Sequence, residues 1–305
     1  MGWSAVAEFA GRTVGRAPTP AMKEALRKEA TEAAARALRL DPRNPEALDV
    51  QASLLDRNDL AAKEAKLLAA VAARPLDCGC QHQHYGMMLS EVGRAAEAIA
   101  HYRRVNDLMP IDPAGAIALS EMYARAGDVE SYARQMERIR DYNSDWPNMR
   151  VYNQIVINNA LFTRDYAPAV AVLRGDQNLI PAARRPAYLA AYEALANGDP
   201  AARTRAVPAI MTQARDPKLI SQLTVSLLGA LGASREALEV NAMLGSISPG
   251  AARDTLMMPT MAEARKLPQF AALAETLGLM RYWRATKKKP DFCTASDAPE
   301  MCARI

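Results

Sequence analysis

The chain has 305 residues, half of them hydrophobic but only 6% aromatic, with 38 basic and 34 acidic residues scattered along its length. A formal charge of +4 spread in this way forms no basic stripe and gives no electrostatic case for direct nucleic-acid binding. No apolar run approaches the roughly 18 residues that a membrane span needs, and Glu8 and Arg12 interrupt the only N-terminal stretch that resembles an export signal.

Alanine, leucine, arginine and glutamate dominate, a helix-forming profile that argues against a sheet. Residues 3–16 read as one amphipathic helix that begins without a capping residue, as though a further part preceded it. Thr19-Pro20 then starts a helix to about Leu40, with Thr as N-cap and Pro at the first helical position. Asn44-Pro45 opens the next pair, with Leu48, Ala52 and Leu55 on one face, Asn58-Asp59 as the turn and Leu60–Ala73 as the return helix. A helix over 79–92 and its partner to Pro110 follow, then a similar pair over 113–146, and a fifth from Pro147 with Asp165–Leu173 as its second helix. Tyr188–Ala196 and Ala202–Gln213 form a sixth pair; Leu219–Leu231 and a helix capped by Ser234 form a seventh. Ser246–Gly250 is a break, 251–268 a short helical stretch interrupted at Pro259 and Pro268. Gln269–Arg284 reads as one final helix whose Phe270, Leu273, Leu277 and Met280 would cover the exposed end of the stack.

Two of these units echo each other at an offset of 34 residues: Leu89 with Tyr123, Gly93 with Gly127, Tyr102 with Met136, Val105 with Ile139 and Pro113 with Pro147. With Gly86 and Ala98 as small contact residues and Pro110 closing the unit, the pattern resembles the tetratricopeptide repeat (TPR) family. The resemblance implies an all-α, right-handed α-solenoid of about seven helical hairpins with a C-terminal capping helix. It divides the chain into an N-terminal helix (1–18), TPR-like repeats (19–245) and a C-terminal cap with a Cys-containing tail (246–305). In such stacks the first helix of each hairpin lines a concave groove, which here selects Gln83, Met87, Glu91, Glu121, Arg125, Ile155, Asn158 and Asn159. The lysines of a carboxylate clamp are missing and Glu91 and Glu121 oppose an anion, so the expected partner is a protein or peptide in a mixed apolar and polar groove.

The tail carries Gly278-Leu279, Tyr282-Trp283-Arg284 and Pro290-Asp291-Phe292-Cys293. These elements resemble the C-terminal end of bacterial TPR proteins that bear a winged-helix domain of the CadC or OmpR type. The resemblance implies the sensory or regulatory part of a bacterial signalling or transcription-regulatory protein, although no winged helix is present in these 305 residues. As the chain stands the expected compartment is cytoplasmic, with the periplasm as the alternative if a membrane span precedes it.

One segment could carry chemistry. Cys78, Cys80, His82 and His84 alternate, and His101 lies on the return helix of the same unit, so a metal- or redox-responsive site is the alternative reading. On a helix, however, Cys78 pairs with His82 and Cys80 with His84 on roughly opposite sides, which favours packing over ligation. Cys293 and Cys302 could close a disulfide in an oxidising compartment. Lys287-Lys288-Lys289 reads as a solvated turn at a helix end. No nucleophile elbow, phosphate loop, dinucleotide fingerprint or zinc-protease motif occurs, so neither an enzyme nor a cofactor is expected.

Overall fold

The computed structural model describes residues 2–73, 79–142, 145, 149–175 and 179–305. Among these every regular element is helical, and seven antiparallel hairpins follow one another. They are α1 (Trp3–Val14) with α2 (Pro20–Leu40), α3 (Pro45–Leu54) with α4 (Leu60–Ala73), α5 (Cys80–Glu91) with α6 (Ala95–Leu108), and α7 (Pro113–Ala126) with α8 (Val129–Tyr142). Then come α9 (Arg150–Thr163) with α10 (Ala167–Arg174), α11 (Arg185–Asn197) with α12 (Pro200–Ala214), and α13 (Gln222–Ala230) with α14 (Ser234–Ile247). The fold is the TPR-like all-α solenoid that the repeats predict. The first helix completes the first hairpin rather than standing apart as its own unit.

Local chemistry sets the hairpin ends. Thr19 accepts the Met22 N–H at 3.2 Å, Asn44 the Ala47 N–H at 2.9 Å and Asp112 the Ala114 N–H at 3.0 Å, each beside a proline in the first turn. Each cap contributes about 1 kcal/mol. Gly93 and Gly127 close α5 and α7 in the left-handed region, at φ 83° and 73°, which costs glycine little. Ser234 departs from its expected role: it is the first helical residue, and Ala233 occupies the cap position without a side-chain bond.

The C-terminal segment does more than cap. A further helix, α15 (Pro249–Met257), turns inward and packs on α5 as well as α14. The single final helix expected over 269–284 is instead two, α16 (Pro268–Thr276) and α17 (Leu279–Thr286). Gly278 breaks it with φ 79°, and lies so close to Asn58 that a Cβ there would sit 3.0 Å from the Asn58 carbonyl oxygen. The α16 helix covers α14 as expected, whereas α17 reaches back to α4 of the second hairpin. Trp283 is fully buried there and its indole N–H donates to the Val92 carbonyl at 2.9 Å.

Two polar contacts fasten this return. Glu64 of α4 is only 4% exposed and accepts from Tyr85 at 3.1 Å, Tyr282 at 3.0 Å, Lys288 at 2.9 Å and the Arg94 guanidinium. Burial would raise its carboxyl, but Arg94 and Lys288 hold it below the usual carboxylate range. Asp291 donates its N–H to the Gly93 carbonyl at 2.8 Å and its carboxylate accepts the Ala96 N–H at 3.0 Å. It thereby caps α6, whose own preceding residue makes no side-chain cap. The lysine run is not a free solvated turn: Lys288 reaches Glu64 and Lys289 donates to the Cys302 carbonyl at 2.9 Å.

Candidate interaction cleft

The inner faces of α5 and α7 would form an open groove in a simple stack. Here α15 lies across them and leaves a cleft of 490 Å³ between its N-terminal turn and the two repeat helices. Gln83, Met87 and Glu91 from α5 and Glu121 and Arg125 from α7 line it, together with Gln222, Gly250 and Asp254. Five of the groove residues selected from sequence therefore meet in one place. Asn158 lies in an adjoining recess of 70 Å³ shared with Glu121 and Gln222. Ile155 and Asn159 are not in either: Ile155 packs with Ala116, Met136 and Ile139, and Asn159 is 1% exposed. On α9 the face toward the recess runs through Asn158, Leu161 and Phe162, so of the positions selected on this degenerate unit only Asn158 reaches it.

A buried ion network joins α15 to the repeats. Arg125 grips both oxygens of Asp254, each at 2.7 Å, in the bidentate arrangement that suits a guanidinium. Ser90 donates to Asp254 Oδ1 at 2.6 Å and Gln222 to Oδ2 at 2.8 Å, while Arg125 also pairs with Glu121. Burial would raise the Asp254 carboxyl; the Arg125 charge and these hydrogen bonds hold it below its ordinary value. Beside this pair, Arg253 donates from Nε and Nη2 to Glu91 Oε2 at 3.1 and 2.9 Å, and from Nη1 to the carbonyls of Arg57 and Leu277. Tyr102 lies against the same network, and burial, then the Asp254 and Glu121 charges, push its phenol well up, so it stays neutral.

Sequence reasoning missed Arg253 and Asp254. The signal was present: a charged dipeptide inside the run from Ala251 to Met258, where Thr255 is the one other polar residue, needs buried partners once that run packs.

The described residues of the alternating Cys/His segment point in different directions. His82 and His101 face each other Nδ1 to Nδ1 at 2.8 Å, whereas His84 turns away to Asp49 at 2.6 Å. Cys80 is disulfide-bonded and thus carries no thiolate, and Cys78 lies outside the described residues. Among the described residues no three His, Cys, Asp or Glu side chains gather where an ion could be held. Burial, then His82, lower the His101 imidazole below its usual value. In the tail, Cys293 and Cys302 form a disulfide with Cα atoms 5.5 Å apart.

No family model matches this chain, and no curated protein matches it in sequence. Solved structures do resemble it. A tetratricopeptide repeat protein from Parabacteroides merdae ATCC 43184 aligns over 85% of this chain and 98% of its own length at 13% identity, with a TM-score of 0.55. PilW, a type IV pilus biogenesis factor, aligns over 80% of this chain and 94% of its own at 16% identity and a TM-score of 0.45. Yeast Tom70 aligns over 93% of this chain and 60% of its own at 15% identity and a TM-score of 0.40. At such identities the first of these likenesses speaks to the fold alone.

Proposed function

We propose that this chain is a non-enzymatic interaction module of the TPR type that takes a segment of a protein partner into the cleft between α5, α7 and α15. The observation that carries this reading is the convergence of Gln83, Met87, Glu91, Glu121 and Arg125 on one open cavity. Met87 is half exposed there, an apolar surface that no intramolecular contact has covered. The cleft's ionisable groups are already engaged in ion pairs, which suits a rigid recognition surface better than proton transfer. Three carboxylates against one guanidinium on its lining also support the expectation that the chain does not bind nucleic acid directly.

As a part of a larger system, its role is the sensory or regulatory half of a bacterial signalling or transcription-regulatory protein, as the tail motifs suggest. No described helix is long and apolar enough to cross a membrane. The disulfides at Cys80 and at Cys293–Cys302 favour the periplasmic alternative over a cytoplasmic one, which thiol titration of unfolded native protein would check.

The test of the cleft is selection of random peptides on the purified chain and on Ala118→Trp, which fills the cavity wall. Enrichment of peptides on the wild type that the variant does not retain is the expected result. Enrichment indifferent to the variant, or none, overturns the reading.

A further inference from the structure

Which chemical group the cleft takes is set by the polar atoms still open in it. Arg125 has none to offer an anion. Its Nη1 is spent on Asp254 and Ser90, its Nη2 on Asp254 and Glu121, and its Nε is sealed from solvent. Arg253 is likewise committed to Glu91 and to two carbonyls. Both oxygens of Asp254 accept twice.

Among the charged groups of the lining, two carboxylate oxygens remain open. Glu121 uses only Oε1, in its pair with Arg125, and its side chain is 32% exposed. Glu91 uses only Oε2, toward Arg253. Although 8% exposed, Glu91 lines the 490 Å³ cleft and also a second one of 310 Å³ on the other side of the α15 start. Its Oε1 faces the position where Gly250 lacks a Cβ, and a Cβ built there would lie 3.0 Å away. The open charged valences of the cleft are therefore both negative, beside the neutral amide of Gln83 and the half-exposed thioether of Met87.

We propose, resting on the cleft reading above, that the occupant is a partner peptide that inserts a lysine or arginine side chain. Glu121 and Glu91 receive the charged head, and Met87, Ala118 and Met122 line the path of its aliphatic stem. The geometry suits a long basic side chain because it pairs an apolar stem with a cationic tip, and a buried cation needs such charge-assisted acceptors. An acidic segment finds no open donor on Arg125 and meets excess carboxylate.

The experiment is fluorescence anisotropy with three dye-labelled, end-blocked heptapeptides that differ only at the central residue: lysine, glutamine or glutamate between two leucines. The lysine peptide should bind the intact chain about tenfold more tightly than the glutamine one and lose that margin at high salt. Glu121→Gln should erase most of the margin between the lysine and glutamine peptides. Gly250→Ala, which crowds Glu91 without altering any charge, should also narrow it. Circular dichroism confirms that each variant is folded. If lysine and glutamine peptides bind alike and both are lost in Ala118→Trp, the cleft reading stands and the cation proposal falls. If none binds at millimolar concentration, or Ala118→Trp changes nothing, both fall.

Discussion

Removing Asp254 should unlock the C-terminal segment from the repeats. The carboxylate accepts four hydrogen bonds, two of them from a guanidinium that is only 8% exposed. Asp254→Ala leaves Arg125 buried with Glu121 as its remaining anion, and breaking one half of a buried pair typically costs about 3–5 kcal/mol. Replacing both partners, as Arg125→Met with Asp254→Leu, removes two desolvation penalties at once. The double variant should therefore be less destabilised than the sum of the single changes by about 2 kcal/mol or more. Urea denaturation followed by circular dichroism and by tryptophan fluorescence is the assay. The fluorescence of buried Trp283 should change at lower urea than the helical signal in Asp254→Ala, because α15, α16 and α17 detach first. Single variants within about 1 kcal/mol of wild type, or strict additivity in the cycle, would refute the claim that this network holds α15 in place.

The same contacts carry two further expected outcomes. Trp283→Ala should cost about 3–5 kcal/mol, whereas Trp283→Phe, which forgoes the hydrogen bond to Val92 and leaves a smaller cavity, should cost about 2–3 kcal/mol; urea midpoints compare the two. The carboxyls of Asp254 and Glu64 are held below their ordinary values when folded. Their contribution is therefore present above about pH 4 and lost as pH falls below it. Thermal midpoints should fall slightly from pH 7 to 5 as the lowered His101 imidazole favours the unfolded chain, then drop further toward pH 3, less steeply in Asp254→Asn.

The hairpins were legible because each leaves a local signature. A cap and proline start a helix at Thr19-Pro20 and Asn44-Pro45, and Gly93 and Gly127 end one. Of the residues selected for the groove, Gln83, Met87, Glu91, Glu121 and Arg125 line one cleft, whereas on α9 Ile155 and Asn159 turn inward to the core. The inward return of α15 left no periodic trace. Arg253 and Asp254 meet partners 162 and 129 residues away, and the nearest-neighbour logic of a solenoid contains no such term. The same holds for Gly278, whose left-handed turn splits the expected final helix to meet Asn58.

That return makes the stability of the stack uneven in a way an open solenoid would not be. The first hairpin packs its alanines on Ala47 and Val50 of α3, in a small core separate from the cluster that runs from Ala52 to Cys302. Removing residues 1–43 uncovers Val50 and little else of large size on α3, so it should change the unfolding of the remainder by about 1.5–3 kcal/mol. Removing 287–305 is a different operation, although it takes fewer residues. It deletes the Lys288 bond to Glu64, the Asp291 cap of α6 and the Phe292 ring packed edge-on to Trp283 and Phe270. It also exposes the surface covered by buried Met301 and Cys302. A cap at about 1 kcal/mol, a charged hydrogen bond at about 1.5–3 and apolar burial at about 1.5–3 per large side chain together imply a loss of about 5 kcal/mol or more. Urea unfolding of the two truncated chains measures both. Equal losses, or a greater loss from the N-terminal deletion, would mean that the tail merely decorates the stack and that hairpins two and three are held by their neighbours alone.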